Sequence, residues 1–268
     1  SAVVDHRKEI KAKISETRAE YLKKDSVAVS WVLDRSVSKP IEFRGYEATM
    51  KKSDISDHER LYYDRSKPFT QTIPYYNEYK EDINVVVPDY YIVPQSWSEV
   101  LERLKINNVK MWPLESDSVI TVEKYRIEDF KTGNRPYEGH FPHRQLTLSK
   151  TVEDVHFRTG DILISLDQEA RRFLIETLEP QATDSYFSWN FFDPILQQKE
   201  YFSSYVFEDT AVDLLKNDSD LRSKFDQKMS ADEDFQKNPR AQLDFVYRNS
   251  EYYEKSHLTY PVYRVFNN

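Results

Sequence analysis

The spacing of apolar residues divides the chain into a helical start, a strand-rich middle and a mostly helical last third. Over residues 5–24, Ile10, Ile14, Thr17 and Tyr21 recur every three or four positions, with charged residues between them. This period predicts one helix with a narrow apolar stripe. A single short helix of this kind is not stable alone in water, so we expect it to dock on another surface.

The middle of the chain alternates between apolar and polar residues, first over residues 27–33. A period of two is typical of half-buried antiparallel strands. Further strands are predicted at residues 41–43, 61–63, 109–111, 118–125, 145–149, 155–158 and 162–166. Prolines are excluded from central strands, so four of them are expected in turns or on sheet edges: Pro40, Pro68, Pro74 and Pro88.

Helical spacing interrupts the strands once and then dominates after residue 168. The first of these helices carries the capping-box pattern Ser96-x-x-Glu99, and Ser230-x-x-Glu233 repeats that pattern near the end of the chain. Pro239 is predicted to break a helix, and residues 260–265 form a short strand that could return to the sheet.

An aromatic segment at residues 176–199 is predicted to anchor the core. Seven of the seventeen residues from Tyr186 to Phe202 are aromatic, and we expect Trp189, Phe191 and Phe192 to pack the helical part on the strands. Four acids flank the rings: Glu176, Glu179, Asp184 and Asp193. Acids beside rings can serve as acid/base groups, or they can cap helices and accept hydrogen bonds from Tyr and Trp.

These patterns together predict an α+β fold, with an antiparallel β-sandwich-like body followed by a helical subdomain. The predicted division is an N-terminal helix at residues 1–26, a β-rich domain at residues 27–166 and a mostly helical subdomain at residues 167–268. The chain opens with Ser1-Ala2 and no initiator Met, so we expect it to be a processed or shortened piece of a longer protein.

Composition excludes several classes of partner. There are 38 basic and 46 acidic residues, a net charge of −8, so nucleic acid and anionic membranes are not expected partners. No apolar run approaches the roughly 20 residues of a membrane span. With no Cys and four Gly, thiolate chemistry and the common phosphate-binding loops are absent from the sequence. Nineteen Tyr include several adjacent pairs, in which alternation along a strand would bury one ring.

Metal binding would have to use His, Asp or Glu. His140 and His143 lie in a predicted loop at residues 131–143, with His156 nearby in sequence. Residues three apart on a strand face opposite sides, so a shared site would need a turn there, and loop histidines that form local hydrogen bonds are the simpler interpretation.

The start of the chain contains His6-x-x-Glu9, a spacing found among zinc ligands, with His140 as a possible distant third ligand. Metal exopeptidases need an upstream sheet to hold this motif, and only five residues precede His6, so we do not expect a zinc site here. No G-x-S-x-G motif marks a serine hydrolase. A glycosidase needs only two facing carboxylates, which this acidic sequence neither favours nor excludes. We therefore predict no catalytic, cofactor-binding or metal-binding residue in this chain.

Eight blocks of sequence, in this order, carry a resemblance to a known family. They are Phe43-Arg44-Gly45-Tyr46-Glu47, Arg60-Leu61-Tyr62-Tyr63-Asp64-Arg65-Ser66-Lys67-Pro68-Phe69, Ile92-Val93-Pro94-Gln95-Ser96-Trp97, Tyr137-Glu138-Gly139-His140, Leu178-Glu179-Pro180-Gln181-Ala182-Thr183-Asp184-Ser185, Trp189-Asn190-Phe191-Phe192-Asp193, Tyr205-Val206-Phe207-Glu208-Asp209-Thr210-Ala211 and Tyr260-Pro261-Val262-Tyr263-Arg264. As a set they resemble the region after the catalytic domain in large bacterial zinc carboxypeptidase-like proteins of the carboxypeptidase A type.

The resemblance implies a non-catalytic C-terminal accessory region that supports or covers a peptidase domain, with residues 1–26 as the tail or linker of that domain. The zinc, its His-x-x-Glu and distant His ligands, the catalytic Glu and the carboxylate-binding Arg would belong to the missing domain. That domain would hydrolyse C-terminal peptide bonds in a secreted or periplasmic protein. Two alternatives stay open: a stand-alone glycan- or peptide-binding module with exposed Tyr and Trp, and an independent hydrolase built on the acids of residues 176–193.

Overall fold

The structure, a computed structural model, describes residues 2–267. Its helices are α1 Ala2–Asp5, α2 Arg7–Leu22, α3 Ser98–Ile106, α4 Arg171–Leu178, α5 Ser204–Asn217, α6 Ser219–Ala231, α7 Glu233–Gln236 and α8 Pro239–Arg248, with a 3₁₀ turn at Asp193–Leu196. Its strands are β1 Ser26–Leu33, β2 Lys39–Lys52, β3 Glu59–Tyr75, β4 Tyr79–Val86, β5 Tyr90–Val93, β6 Trp112–Pro113, β7 Ser118–Thr132, β8 His143–Phe157, β9 Ile162–Ser165 and β10 Tyr263–Val265.

The predicted α+β class is confirmed. Antiparallel sheets occupy the first two-thirds of the chain, and α5 to α8 follow as a helical cluster. The strands predicted at residues 145–149 and 155–158 are one strand, β8, because its backbone pairs with β7 through the polar residues between them. An alternating pattern reveals only strand segments with one buried face. The segment between the two predicted strands lacks this pattern, and even its apolar residue Val152 is exposed.

Close contacts divide the chain into two compact units. One unit comprises Ser1–Asp25 together with Val87–Asn268, and the other is Ser26–Val86. The sequence-based division instead placed residues 27–166 in a single domain. The two groupings separate the strands at different points, and the domain boundaries inferred from the sequence stay a prediction.

The unit Ser26–Val86 consists of two antiparallel ribbons, β1 with β4 and β2 with β3. The β2–β3 ribbon runs from the pair Lys39 and Tyr75 to the pair Lys52 and Glu59, with a shift of register after Tyr46. Pro40, Pro68 and Pro74 lie within these strands. A two-stranded ribbon has only edge strands, so the edge positions predicted for these prolines are confirmed.

The larger unit is built on a six-stranded antiparallel sheet in the order β6-β9-β5-β10-β7-β8. The C-terminal strand β10 lies between β5 and β7, which confirms the predicted return of the chain to the sheet. One side of the sheet packs Ile92, Val122 and Phe157 into an apolar cluster. The other side carries Tyr91, Tyr125 and the buried side chain of Arg264.

Both predicted capping boxes are wrong. Trp97 occupies the position before α3 and makes no side-chain capping hydrogen bond. Ser230 still belongs to α6, where its hydroxyl donates to the Asp226 carbonyl 2.8 Å away. Asp232 caps α7 instead, and its carboxylate accepts from the Phe235 amide at 2.9 Å.

The helical cluster has its own core, centred on Phe207, Leu221 and Tyr247. Pro239 does not break a helix in mid-course, because it occupies the first turn of α8 behind the capping residue Asn238. Proline is tolerated there since the first amide groups of a helix have no partner within the helix.

The aromatic segment is a packing centre, although its rings are buried to different degrees. Phe192 is fully buried and makes edge-to-face contacts with Trp97 at 4.9 Å and Tyr260 at 5.0 Å between ring centroids. Trp189 and Phe191 are only half-buried. Of the three rings expected to pack the helical part on the strands, only Phe192 is fully buried.

Candidate functional site

The four acids of the aromatic segment have separate partners. Glu179 is 1% exposed and accepts hydrogen bonds from two Tyr hydroxyls. Asp193 contacts His143, and Glu176 pairs with Arg172 on the adjacent turn of α4. Asp184 is exposed. Glu179 therefore matches the structural interpretation of these acids, in which they accept hydrogen bonds from aromatic side chains.

The best-defined polar cluster lies around Glu179, just after α4, against one face of the six-stranded sheet. Tyr91 of β5 donates to Glu179 Oε1 at 2.6 Å, and Tyr125 of β7 donates to Oε2 at 2.8 Å. Arg264 of β10 places Nε 3.1 Å from Oε1, and its guanidinium also contacts Glu123 of β7. Three strands and the end of a helix are joined here.

Electrostatics hold the two Tyr side chains of this cluster neutral and Arg264 charged. Burial, followed by the nearby Glu179 carboxylate, raises the pKa of Tyr91 and of Tyr125, so both phenols remain neutral donors. Burial lowers the pKa of Arg264, but Glu179 and the neighbouring phenols and carboxylate outweigh it, and the net pKa is raised. A buried cluster whose Tyr and Arg side chains keep one charge state stabilises the fold and is poorly suited to acid/base catalysis.

This cluster predicts that stability falls in alkali. An unfolded Tyr ionises near pH 10, whereas Tyr91 and Tyr125 keep their protons to higher pH when folded. Stability is therefore complete below about pH 10 and is lost as the pH rises above it. Chemical denaturation between about pH 8 and 11 should show this loss, and the double variant Tyr91→Phe, Tyr125→Phe should show a smaller one. An identical alkaline loss in both proteins would contradict this origin.

His143 belongs to a second polar cluster. Its Nε2 lies 2.9 Å from Asp193 Oδ1 and its Nδ1 lies 3.0 Å from Thr132 Oγ1. Asn190, at φ +69°, donates from Nδ2 to the Phe141 carbonyl at 3.0 Å and accepts from the Phe141 amide at 3.1 Å. These bonds tie the loop between β7 and β8 to the aromatic segment. His143 itself is the first residue of β8, and its partner Asp193 lies 50 residues away, so the expectation of a loop histidine with local hydrogen bonds is wrong for His143.

Thr132, His143 and Asp193 form a hydroxyl–imidazole–carboxylate row like that of serine hydrolases. Acyl transfer also needs donors aimed at the developing oxyanion. Gly133, the residue after Thr132, already donates its amide to the Pro142 carbonyl at 3.0 Å. The row is therefore best understood as a structural tie, and it gives no support to the hydrolase alternative.

The remaining metal candidates are scattered. His140 packs between the rings of Trp189 and Phe191. His6 contacts Glu9 at 2.9 Å on the exposed surface at the start of α2. His156 lies in β8, opposite Val119. Over residues 2–267, no three His, Asp or Glu side chains gather as a metal site would require. The expectation that this chain holds no metal or cofactor stays a prediction.

A groove of about 930 Å³ opens between α2 and α4. No side chain of α2 is buried, and Ile10 and Ile14 line the groove with 42% and 47% of their surface exposed. The C-terminal end of α2 is held by Arg171, whose guanidinium donates to the carbonyls of Leu22 and Lys24. The helix is thus fixed at one end, while its apolar stripe faces an open groove.

Aromatic side chains are exposed in the unit Ser26–Val86. The pairs Tyr62-Tyr63 and Tyr75-Tyr76 expose both rings, so the expectation that one ring of each pair is buried is wrong for them. Over the described residues, Tyr62, Tyr63 and Tyr75 belong to β3 of a two-stranded sheet, and Tyr76 follows the end of that strand. Sequence alternation alone cannot reveal this, because it marks faces without showing what covers them.

Over the part of the chain that the structure describes, no helix is long and apolar enough to cross a membrane. Comparison of the chain with protein-family models, curated proteins and solved structures finds no match.

Proposed function

We propose that this chain is a non-catalytic accessory region of a zinc carboxypeptidase-like protein. In this role it supports or covers a peptidase domain of the same polypeptide, and that domain holds the zinc and hydrolyses C-terminal peptide bonds. The ordered sequence blocks support the family, and with it a secreted or periplasmic location. The observation that carries the accessory role is the open groove between α2 and α4.

The groove has the features of a surface made for another domain. It is lined by Ile10, Ile14 and Phe173 together with charged side chains, among them Arg18 and Glu169, which lie 3.8 Å apart. Residues 7–24 contain seven basic and three acidic side chains, in a chain of net charge −8. An apolar patch bordered by acids on the peptidase domain would complement this helix.

Replacing Ile10 and Ile14 by Ser should change the free energy of unfolding of this chain by less than about 1 kcal/mol, because both side chains are already half exposed. Chemical denaturation measures it, with Leu104→Ala, at a fully buried position of α3, as the destabilising control. A loss several times larger would mean that α2 completes the core of a self-contained module.

The sequence encoded upstream of Ser1 tests the family assignment directly. A peptidase domain with a His-x-x-Glu zinc motif is expected there. An upstream region that encodes no such domain would overturn the accessory role, whatever the stability of the Ile10 and Ile14 variant.

A second candidate function, glycan or peptide binding, rests on the β1–β4 ribbon. Trp31 is opposite Glu81, and Leu33 is opposite Tyr79, so Trp31 and Tyr79 lie diagonally on one face. Both rings are exposed, at 45% and 66%. Exposed neighbouring rings can stack on sugars or peptide side chains. Saturable quenching of tryptophan fluorescence by an oligosaccharide or peptide, lost in Trp31→Ala, would favour this function.

A further inference from the structure

The segment at residues 253–260 connects the helical cluster to the six-stranded sheet. At its start, the ring of Tyr253 packs on the ring of Tyr247 of α8, with 5.6 Å between the centroids. Four residues later, the His257 carbonyl accepts a hydrogen bond from Arg126 of β7 at 3.1 Å. We name residues 253–260 the joint segment, because contacts to the helices and to the sheet follow each other along it.

The joint segment includes a residue in an unfavourable backbone conformation. Leu258 has φ +61°, in the left-handed region that side chains other than Gly rarely adopt. Two hydrogen bonds of 2.8 Å hold it there: the Leu258 amide donates to the Ile195 carbonyl, and the Leu258 carbonyl accepts from the Ile127 amide. Such a conformation persists only where surrounding contacts enforce it. The joint segment should therefore open when one of its contacts is weakened.

The side chain of His257 is one of those contacts. The residue is 8% exposed, and its Nδ1 is hydrogen-bonded to the Tyr253 hydroxyl. The ring also forms a hydrogen bond with the backbone of Leu196, in the 3₁₀ turn. A neutral imidazole can form both bonds, since one ring nitrogen donates and the other accepts. His257 thus joins the joint segment to the 3₁₀ turn in its neutral form.

The charged groups around His257 do not favour a second form of the ring. Arg126 of β7 and Arg248 of α8 act on it as cations, and Glu254 is its nearby acid. The Glu254 carboxylate also accepts a hydrogen bond from the Lys199 amide at 2.7 Å. Burial, together with the two guanidinium groups, lowers the pKa of His257 below its ordinary value of 6.5.

We propose that His257 makes the joint segment an acid-sensitive connection, which opens between the helical cluster and the sheet when the imidazole gains a proton. This inference is independent of the accessory role. An imidazolium would be buried beside two guanidinium groups in the closed segment, whereas water solvates it in the opened one. Both of its ring nitrogens are donors, so the Tyr253 hydroxyl would also have to reverse its hydrogen bond.

The pH at which the segment opens depends on where each form takes up the proton. In the opened segment His257 ionises near pH 6.5, and in the closed segment it does so only at lower pH. The closed form is therefore fully favoured above about pH 6.5, and its advantage decreases as the pH falls. At about pH 5, a single group of this kind can increase the opened fraction by at most about thirtyfold.

Hydrogen exchange followed by NMR measures this opening residue by residue. After correction for intrinsic rates, the amides of Ile127 and Leu258 should exchange at least about threefold faster at about pH 5 than at about pH 7. The Leu166 amide, which donates to the Asp89 carbonyl at 2.9 Å, is the internal reference and should not change. Unchanged rates at Ile127 and Leu258, or an equal increase at Leu166, would overturn the proposed local opening.

Three variants identify the group that titrates. His257→Gln should abolish the pH dependence at Ile127 and Leu258, whatever its effect on the rates at neutral pH. Arg248→Gln, at an exposed position of α8, removes one cation and should reduce that dependence. His156→Gln, at an exposed position of β8, is the matched control and should retain it. A dependence that persists in His257→Gln, or a titration midpoint of His257 at or above about pH 6.5 by NMR, would refute the inference.

Discussion

Replacing Glu179 by Ala should lower the free energy of unfolding by about 3–5 kcal/mol, because it removes one partner of a buried ion pair. Glu179 and Arg264 are each 1% exposed, with 3.1 Å between Arg264 Nε and Glu179 Oε1. The guanidinium keeps its contact with Glu123. The substitution also leaves the hydroxyls of Tyr91 and Tyr125 without the acceptor they use at 2.6 and 2.8 Å.

Chemical denaturation with an unchanged slope would measure this loss. Asp184→Ala is the matched control on the same segment. Its side chain is exposed, and the change should stay within about 0.5 kcal/mol. The double variant Glu179→Leu, Arg264→Met should be less destabilised than the sum of its single variants, since it leaves neither charge buried alone. Additive losses would show that the pair is not coupled.

Phe192→Ala should cost about 3–5 kcal/mol, because it leaves a cavity where a fully buried ring stood. The ring of Phe192 lies between those of Trp97, just before α3, and Tyr260, just before β10. The packing of three segments that are distant in sequence therefore depends on this one side chain.

Trp189→Ala is the informative comparison, because Trp189 is the larger ring but is only half-buried. Its contacts are with Tyr137 and His140 in the loop after β7. We expect a loss of about 1–2 kcal/mol, smaller than for Phe192. Thermal and chemical unfolding of both variants would decide it, and a larger loss for Trp189 would place the packing centre at the loop instead.

The Glu179 cluster and the His143 cluster have one property in common. Each contains residues that the sequence offered as candidates for catalysis or metal binding, and in each those residues form hydrogen bonds that stabilise the fold. His143 is held by Thr132, Asp193 and the aromatic rings of Phe130 and Phe187. Among the described residues, the groove along α2 is an apolar surface still open to a partner.

Local patterns in the sequence were enough to determine the types of the main elements. The period of Ile10, Ile14 and Tyr21 located α2, and the alternation from Val27 to Leu33 located β1. The change of period after residue 168 placed the helices at the end, and hence the α+β class. These patterns predict helices and strands correctly because each depends only on the geometry of residues close together along one element.

Only the tertiary structure decided which residues meet. Tyr91 and Glu179 are 88 residues apart in sequence, and Arg264 and Glu123 are 141 apart, so no local period could pair them. The sequence also did not show which rings are buried. Trp189 and Phe192 lie in the same aromatic segment, yet only Phe192 is fully buried, and alternation predicted one buried ring in the pair Tyr62-Tyr63, where both are exposed. Whether an apolar side chain is covered depends on a second layer of the fold, which a one-dimensional pattern does not contain.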